Sequence, residues 1–198
     1  MSNLGVPSHA FASHVMESAI ASAERGISEG AGFPFGAAMI RNKYYNRAQK
    51  VVEAPEAITG DDVWELLLST PNTVHIGPDP TAHAEMMAIR LAASKLGRND
   101  LSDCILFATG EPCPMCTGAC LSSRISVVYV GVPRETTVLL GNFPDKLREE
   151  VGKHPNERTM LKYYWMAGDA ETIEKTEQQK QVETKIIRLY ETWKEKAK

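Results

Sequence analysis

Apolar positions along the chain recur in blocks whose spacing identifies elements. Phe11, Val15, Ala19, Ile20 and Ala23 recur at helical spacing and predict a helix over about residues 11–25. Gly26 and Gly30 to Gly32 follow and are expected to end it. Residues 35–40 form a short, small-residue apolar run of the kind a buried strand shows. Residues 44–52 read as a further strand. Residues 61–68 fit either a strand or a short helix capped by Thr59 or Asp61, because so short a run has no decisive period. Pro71, Gly77, Pro78 and Pro80 predict a loop. Residues 81–96 read as a helix capped by Thr81, with Ala84, Ala88, Ile89, Ala92 and Ala93 on one face and Gly97 at its end. Residues 104–109 then read as a buried strand, residues 113–123 as a helix and residues 127–130 as a strand. That alternation predicts an α/β fold with helices packed on a sheet. Residues 141–160 read as loop-rich. Val182, Ile186, Leu189, Tyr190 and Trp193 make an apolar stripe on a charged C-terminal helix.

Length and charge narrow the picture. At about 150 residues per domain, 198 residues form one domain with an appendage. Lys plus Arg number 22 and Asp plus Glu 25, a net charge of −3. The chain therefore lacks the basic excess of a nucleic-acid-binding domain, and nucleic acid is not the expected partner. No apolar run is long enough for a transmembrane helix, so no membrane association is expected. The first ten residues lack a basic stretch followed by an apolar one, so a cytoplasmic location is expected. The four cysteines, Cys104, Cys113, Cys116 and Cys120, cluster in one part of the sequence. Clustering in a reducing compartment favours metal binding or free thiols over a disulfide framework.

Two short segments open predicted helices and carry chemistry. The first is His83-Ala84-Glu85; the second is Pro112-Cys113-Pro114-Met115-Cys116. Two cysteines three residues apart at a helix start can hold one tetrahedral zinc, and the helix dipole favours their thiolates. Read alone, such a pair is equally a redox pair or two core residues. Cys120 and Cys104 read as core. Adding His83 leaves a fourth zinc position open for water. Glu85, beside it, can then take and return a proton. This arrangement is the H-x-E…P-C-x-x-C signature of zinc nucleobase deaminases. Hydrolytic deamination requires these residue types. Zinc makes water acidic enough to attack an amidine carbon at neutral pH, and one carboxylate serves as base and then as acid.

The segment from Asp79 to about Thr117 resembles the cytidine deaminase superfamily, in its purine-deaminating branch. Asp79-Pro-Thr-Ala-His-Ala-Glu-Met and Glu111-Pro-Cys-Pro-Met-Cys are similar to strings of guanine deaminases and tRNA adenosine deaminases. Phe33-Pro-Phe-Gly-Ala-Ala matches the family's first strand. Leu101-Ser-Asp-Cys-Ile-Leu and Asn156-Glu-Arg-Thr are similar to segments of bacterial guanine deaminases. The resemblance implies a three-layer α/β/α sandwich with a five-stranded mixed sheet, assembled as a homodimer or larger. It implies a deaminase domain over residues 1–165, with residues 166–198 a helical extension packed on the domain or on a partner subunit. It implies one zinc per chain on His83, Cys113 and Cys116, with Glu85 as proton shuttle. Asn72, on the loop before the His-Ala-Glu helix, would contact the substrate ring; Asn46 is the alternative. Phe33, Ala82 and Glu111 would line the pocket.

The sequence also departs from that family. Extra residues lie between Ile40 and Asn72. Gly110 stands where relatives carry a larger residue. The acid that guanine deaminases use against guanine falls near Thr136, with Glu135 one residue away. These differences leave the substrate open. The leading expectation is hydrolytic deamination of a free purine-type base, guanine first, with release of ammonia. The alternatives are a tRNA adenosine deaminase, a nucleoside or pyrimidine base deaminase, a non-catalytic binding module, or a purely structural zinc site closed by Cys120.

Overall fold

The computed structural model describes residues 4–141, 146–154, 157 and 174–196. The chain forms two compact units, Met1–Arg148 and Glu149–Lys198.

The first unit opens with α1 (His9–Ser28). Ser8 caps it: its hydroxyl accepts the Phe11 N–H at 3.2 Å. Ala12, Val15, Ala19, Ser22, Ala23 and Gly26 form its buried face. The helix thus runs straight through Gly26 and ends further on, at Ser28. Gly26 is a packing residue, because a Cβ there would meet Pro71.

The main sheet contains β1 (Gly36–Asn42), β4 (Trp64–Pro71), β5 (Cys104–Gly110) and β6 (Val128–Val132). Their order is β4-β1-β5-β6. β1 runs antiparallel to both neighbours, and β5 and β6 are parallel, so the sheet is mixed. β1 and β5 are almost wholly buried, and alternate residues enter separate clusters. Ala38, Ile40, Ile105 and Phe107 join Val15 and Ala19 of α1. Ala37, Met39, Cys104 and Leu106 join residues of α2 (Ala84–Leu96) and α3 (Pro114–Ser122). The continuous apolar runs seen in the sequence therefore mark strands covered on two faces.

Four strands form this sheet among the described residues, where the resemblance implied five. The segment read as a strand over residues 44–52 pairs with itself instead. It makes a separate two-stranded ladder of β2 (Tyr45–Asn46) and β3 (Val51–Val52). Asn46 bends the connection by accepting the Ala48 and Gln49 N–H groups at 3.1 Å each. The ambiguous segment over residues 61–68 holds both of its readings in turn: a short 3-10 helix, Gly60–Val63, runs directly into β4.

After β6 the chain enters α4 (Arg134–Gly141) and then α5 (Lys146–Gly152), the second of these within the stretch expected to be loops. In the second unit α6 (Glu177–Lys196) fulfils the expectation of a helix. Thr176 and Gln179 close a capping box at its start: the Thr176 hydroxyl accepts the Gln179 N–H at 3.2 Å, and Gln179 Oε1 accepts the Thr176 N–H at 2.8 Å. Of the stripe expected to pack, Ile186 is exposed, and the side chains of Val182, Leu189, Tyr190 and Trp193 lie outside the described residues.

Candidate active site

His83 occupies the N-cap of α2, and Cys113 occupies the N-cap of α3. Thr81, expected to be the cap, lies two residues before that position. Asp79 captures it instead, accepting its N–H at 2.8 Å and its hydroxyl at 2.5 Å. This tight loop carries His83 to the helix start in an extended conformation. The His83 side chain makes no cap bond to α2, and the Cys113 side chain is directed at Cys116 in the first turn of α3. Pro114 begins α3, where a missing N–H costs nothing. One turn later α3 brings Cys116 back to the same point.

The three donor atoms converge there. His83 Nδ1 lies 3.7 Å from each of Cys113 Sγ and Cys116 Sγ, and the two sulfurs are 3.6 Å apart. Tetrahedral zinc with ordinary Zn–N and Zn–S bonds sets edges of about 3.6 Å between nitrogen and sulfur and about 3.8 Å between sulfurs. The observed triangle fits that ion. Among the described residues it is the one His/Cys/Asp/Glu group close enough to hold a metal.

The electrostatics divide the two thiols. The Cys113 thiol is depressed to about 4, chiefly by its hydrogen bond with Cys116, with His83 adding to the effect. Cys116 moves the other way, raised by that same shared bond and by burial. The His83 imidazole is held above its ordinary value, first by its bond with Cys113. Cys120 is pushed up to about 11, first by burial, and Cys104 is raised by burial as well. Both are buried thiols outside the donor triangle, in keeping with a core role.

Glu85, in the first turn of α2, is 8% exposed. Burial pushes its carboxyl up, and the neighbouring Cys113 adds to that. It faces a cavity of about 220 Å³ together with His83 and Cys113. That volume lies below the ~300–1,000 Å³ of drug-sized pockets and suits one small ring system.

Asn72, Phe33 and Glu111 line the same cavity. Asn72 is 1% exposed, and its Oδ1 accepts the Phe33 and Val74 N–H groups at 3.2 Å each. That leaves its amide NH2 for the cavity. Asn46 is elsewhere, bonded to Glu53. Ala82 is buried but is not part of the lining; its backbone braces the loop by bonds to Thr73 and Asp79. Glu111 has a structural share: it accepts the Arg134 N–H at 3.1 Å and pairs with the Arg148 guanidinium. Those contacts hold its carboxyl below the usual range, Arg148 first.

Phe35, Thr109, Arg134 and Thr137 also line the cavity and were missed in the sequence. Phe35 and Thr109 stand at strand ends already read as core. Arg134 and Thr137 come from α4, a helix whose start carried no recognised cap. Glu135 does not restore the missing acid, since it is exposed and outside the lining.

Comparison with known proteins decides the family. Residues 10–132 match the model of the cytidine and deoxycytidylate deaminase zinc-binding region. The chain belongs to this family. Guanine deaminase of Bacillus subtilis is 31% identical over 148 residues, which is 75% of this chain and 81% of that protein. Its X-ray structure superposes with a TM-score of 0.68 at 27% identity, covering 95% of this chain and 94% of that one. The tRNA-specific adenosine deaminase of Haemophilus influenzae is 35% identical over 98 residues, 49% of this chain and 57% of that protein. The chain is a hydrolytic deaminase of the zinc-binding type, and its His/Cys/Cys group fits one zinc. No helix among the described residues is long and apolar enough to cross a membrane.

Proposed function

We propose that this deaminase acts on a free purine-type base, guanine first, with His83, Cys113 and Cys116 holding the zinc and Glu85 moving the proton. The observation that carries this reading is the donor triangle, at tetrahedral edge lengths, beside a buried carboxylate in a cavity of one-ring-system size. The guanine deaminase relative supports the substrate, because that match spans 81% of the relative against 57% for the tRNA-acting one.

Bound zinc supplies the positive charge that lets water give up a proton near neutral pH. Glu85 accepts that proton and delivers it to a ring nitrogen, which makes the amidine carbon electrophilic. The water oxygen bonds to that carbon. Glu85 then carries the second water proton to the exocyclic amine, the carbon–nitrogen bond breaks, and ammonia leaves. The ring keeps a carbonyl where the amine stood. Burial helps Glu85 in both roles, since a raised carboxyl pKa makes it a better base and keeps a proton available for the amine. Asn72 orients the ring through its amide, locked by the two backbone bonds to Oδ1.

The test is ammonia release by zinc-loaded protein offered free bases, nucleosides and an anticodon stem-loop RNA. Release from guanine is the expected result. Release from the RNA alone would replace this reading with the tRNA adenosine deaminase one.

A further inference from the structure

We propose that the first turn of α4 selects the substrate, with Arg134 reading an oxo or carboxylate oxygen carried by the heterocycle. This rests on the free-heterocycle reading above and goes further by naming the class of ring.

The argument begins with the polar groups that face the cavity. Glu85 has the proton to move. Both Glu111 oxygens are engaged, one by the Arg134 backbone N–H at 3.1 Å and one by Arg148. Asn72 has spent its oxygen on the protein backbone and offers only its NH2. Thr109, also in the lining, accepts the Gly36 N–H at Oγ1 at 3.0 Å and retains an O–H to donate. Arg134 adds a guanidinium, whose five N–H groups can serve the protein and a ligand at once. Asn72, Thr109 and Arg134 therefore bring hydrogen-bond donors to the lining, beside a Glu111 carboxylate whose oxygens are each already bonded. A ring that meets these donors does so with acceptors, and an oxygen is the best partner for a guanidinium.

The wall is built to hold this position. The Thr137 hydroxyl donates to the Arg134 carbonyl at 2.8 Å, tying the turn together. Thr137 is 7% exposed. Gly110 lets it close in: a Cβ there would stand 3.1 Å from Thr137 Cγ2 and 3.2 Å from the Phe35 ring. The glycine that departs from the family pattern is thus the residue against which α4 packs. A ring lacking that oxygen forgoes a charge-assisted bond to Arg134, and a site built to hydrogen-bond a substrate oxygen discriminates against the analogue without it.

Paired rings test this. Guanine and 2-aminopurine share the reacting amine and differ by one oxo group; cytosine and 4-aminopyrimidine do likewise. We would measure kcat/KM for ammonia release and calorimetric binding for each, using zinc-loaded full-length wild type, Arg134→Met and Arg134→Gln. Zinc content and Tm check that each variant folds, and Arg134→Gln carries the comparison should Arg134→Met fail. In the wild type the oxo member of a pair is expected to be preferred. The oxo preference falls about 10- to 100-fold in Arg134→Met, as loss of a charge-assisted hydrogen bond implies, and less in Arg134→Gln. An unchanged preference in folded variants overturns the proposal, as does equal turnover of both members; either leaves base deamination standing. An Arg134-dependent preference in the cytosine pair alone upholds the proposal and removes guanine. Turnover of the RNA with no binding of any oxo ring overturns the proposal.

Discussion

Replacing Glu85 by Gln keeps the shape of the first turn of α2 and removes its only proton-accepting oxygen pair. General acid–base groups contribute about 10²- to 10⁴-fold, so kcat of Glu85→Gln should fall by that order while zinc per chain, read by atomic emission, stays at the wild-type level. A matching loss of zinc would mean that Glu85 holds the metal and does not move the proton. Asn72 gives a second test at this scale. Gly32 lies so close to the Asn72 amide oxygen that a Cβ would overlap it. Gly32→Ala should therefore turn Asn72 out of line and raise KM, with zinc retained. At residue scale the sequence was readable where chemistry is local. His83, Glu85, Cys113 and Cys116 stand in two short strings, and the helix start that each string opens aims its side chains. Arg134 and Thr137 were not readable, because only the packing of α4 on Gly110 and Glu111 brings them to the cavity. Ala82, which the family resemblance put at the pocket, is buried and absent from the cavity lining.

The elements are joined by contacts that can be broken singly. Gly97 ends α2 in a left-handed turn at φ 64°, with the Arg98 N–H bonded to the Ala93 carbonyl at 3.1 Å. Arg98 then grips Asp103, at the head of β5, through two bonds of 2.8 and 2.6 Å. Both side chains are largely buried. Removing one partner of a buried pair costs about 3–5 kcal/mol, so Asp103→Ala should lower the urea-derived unfolding free energy by that order. A loss below ~1 kcal/mol would mark the pair as a weak surface contact. The elements around it were legible because β5 is apolar along its whole length and α2 has a regular stripe. The stretch between β1 and β4 was not. β4 is an edge strand with mixed burial, so it alternates poorly, and β2 and β3 hold two residues each, too few for any period. Nor did the turn at Asp79 announce that it would hold Thr81 back from the helix cap.

For the molecule as a whole, acid and chelation are the informative perturbations. The Asp79 carboxyl is held below its ordinary value of 3.8, first by the Thr81 hydroxyl, and Asp100 is lowered likewise by Ser102. A lowered native pKa means that the unfolded chain binds the proton more readily. The stability from these groups is thus present above pH 3.8 and is lost as pH falls through the lower native values. Asp79→Asn should flatten this acid limb in urea midpoints measured against pH; an unchanged limb would show that the Asp79–Thr81 contact contributes nothing. Chelation acts at higher pH. The donors come from the ends of two helices separated by β5, so metal joined to all three should cross-link them. Removing it should lower Tm and abolish ammonia release, and restored zinc should return both, since metal held by the native chain alone stabilises it by mass action. A Tm indifferent to chelator would place the metal elsewhere.

The order of these parts along the chain has a consequence for synthesis. His83 leaves the ribosome first, then β5, then the two cysteines, and only afterwards β6 and α4. A nascent polypeptide that has emerged from the ribosome through Ser122 already has all three zinc donors, with β5 available to pair with β1. It still lacks the turn that carries Arg134. Metal capture can thus precede the appearance of a finished binding wall. An emerged intermediate of that length would hold the zinc donors together with Asn72 and Thr109, and would lack the Arg134 side of the wall.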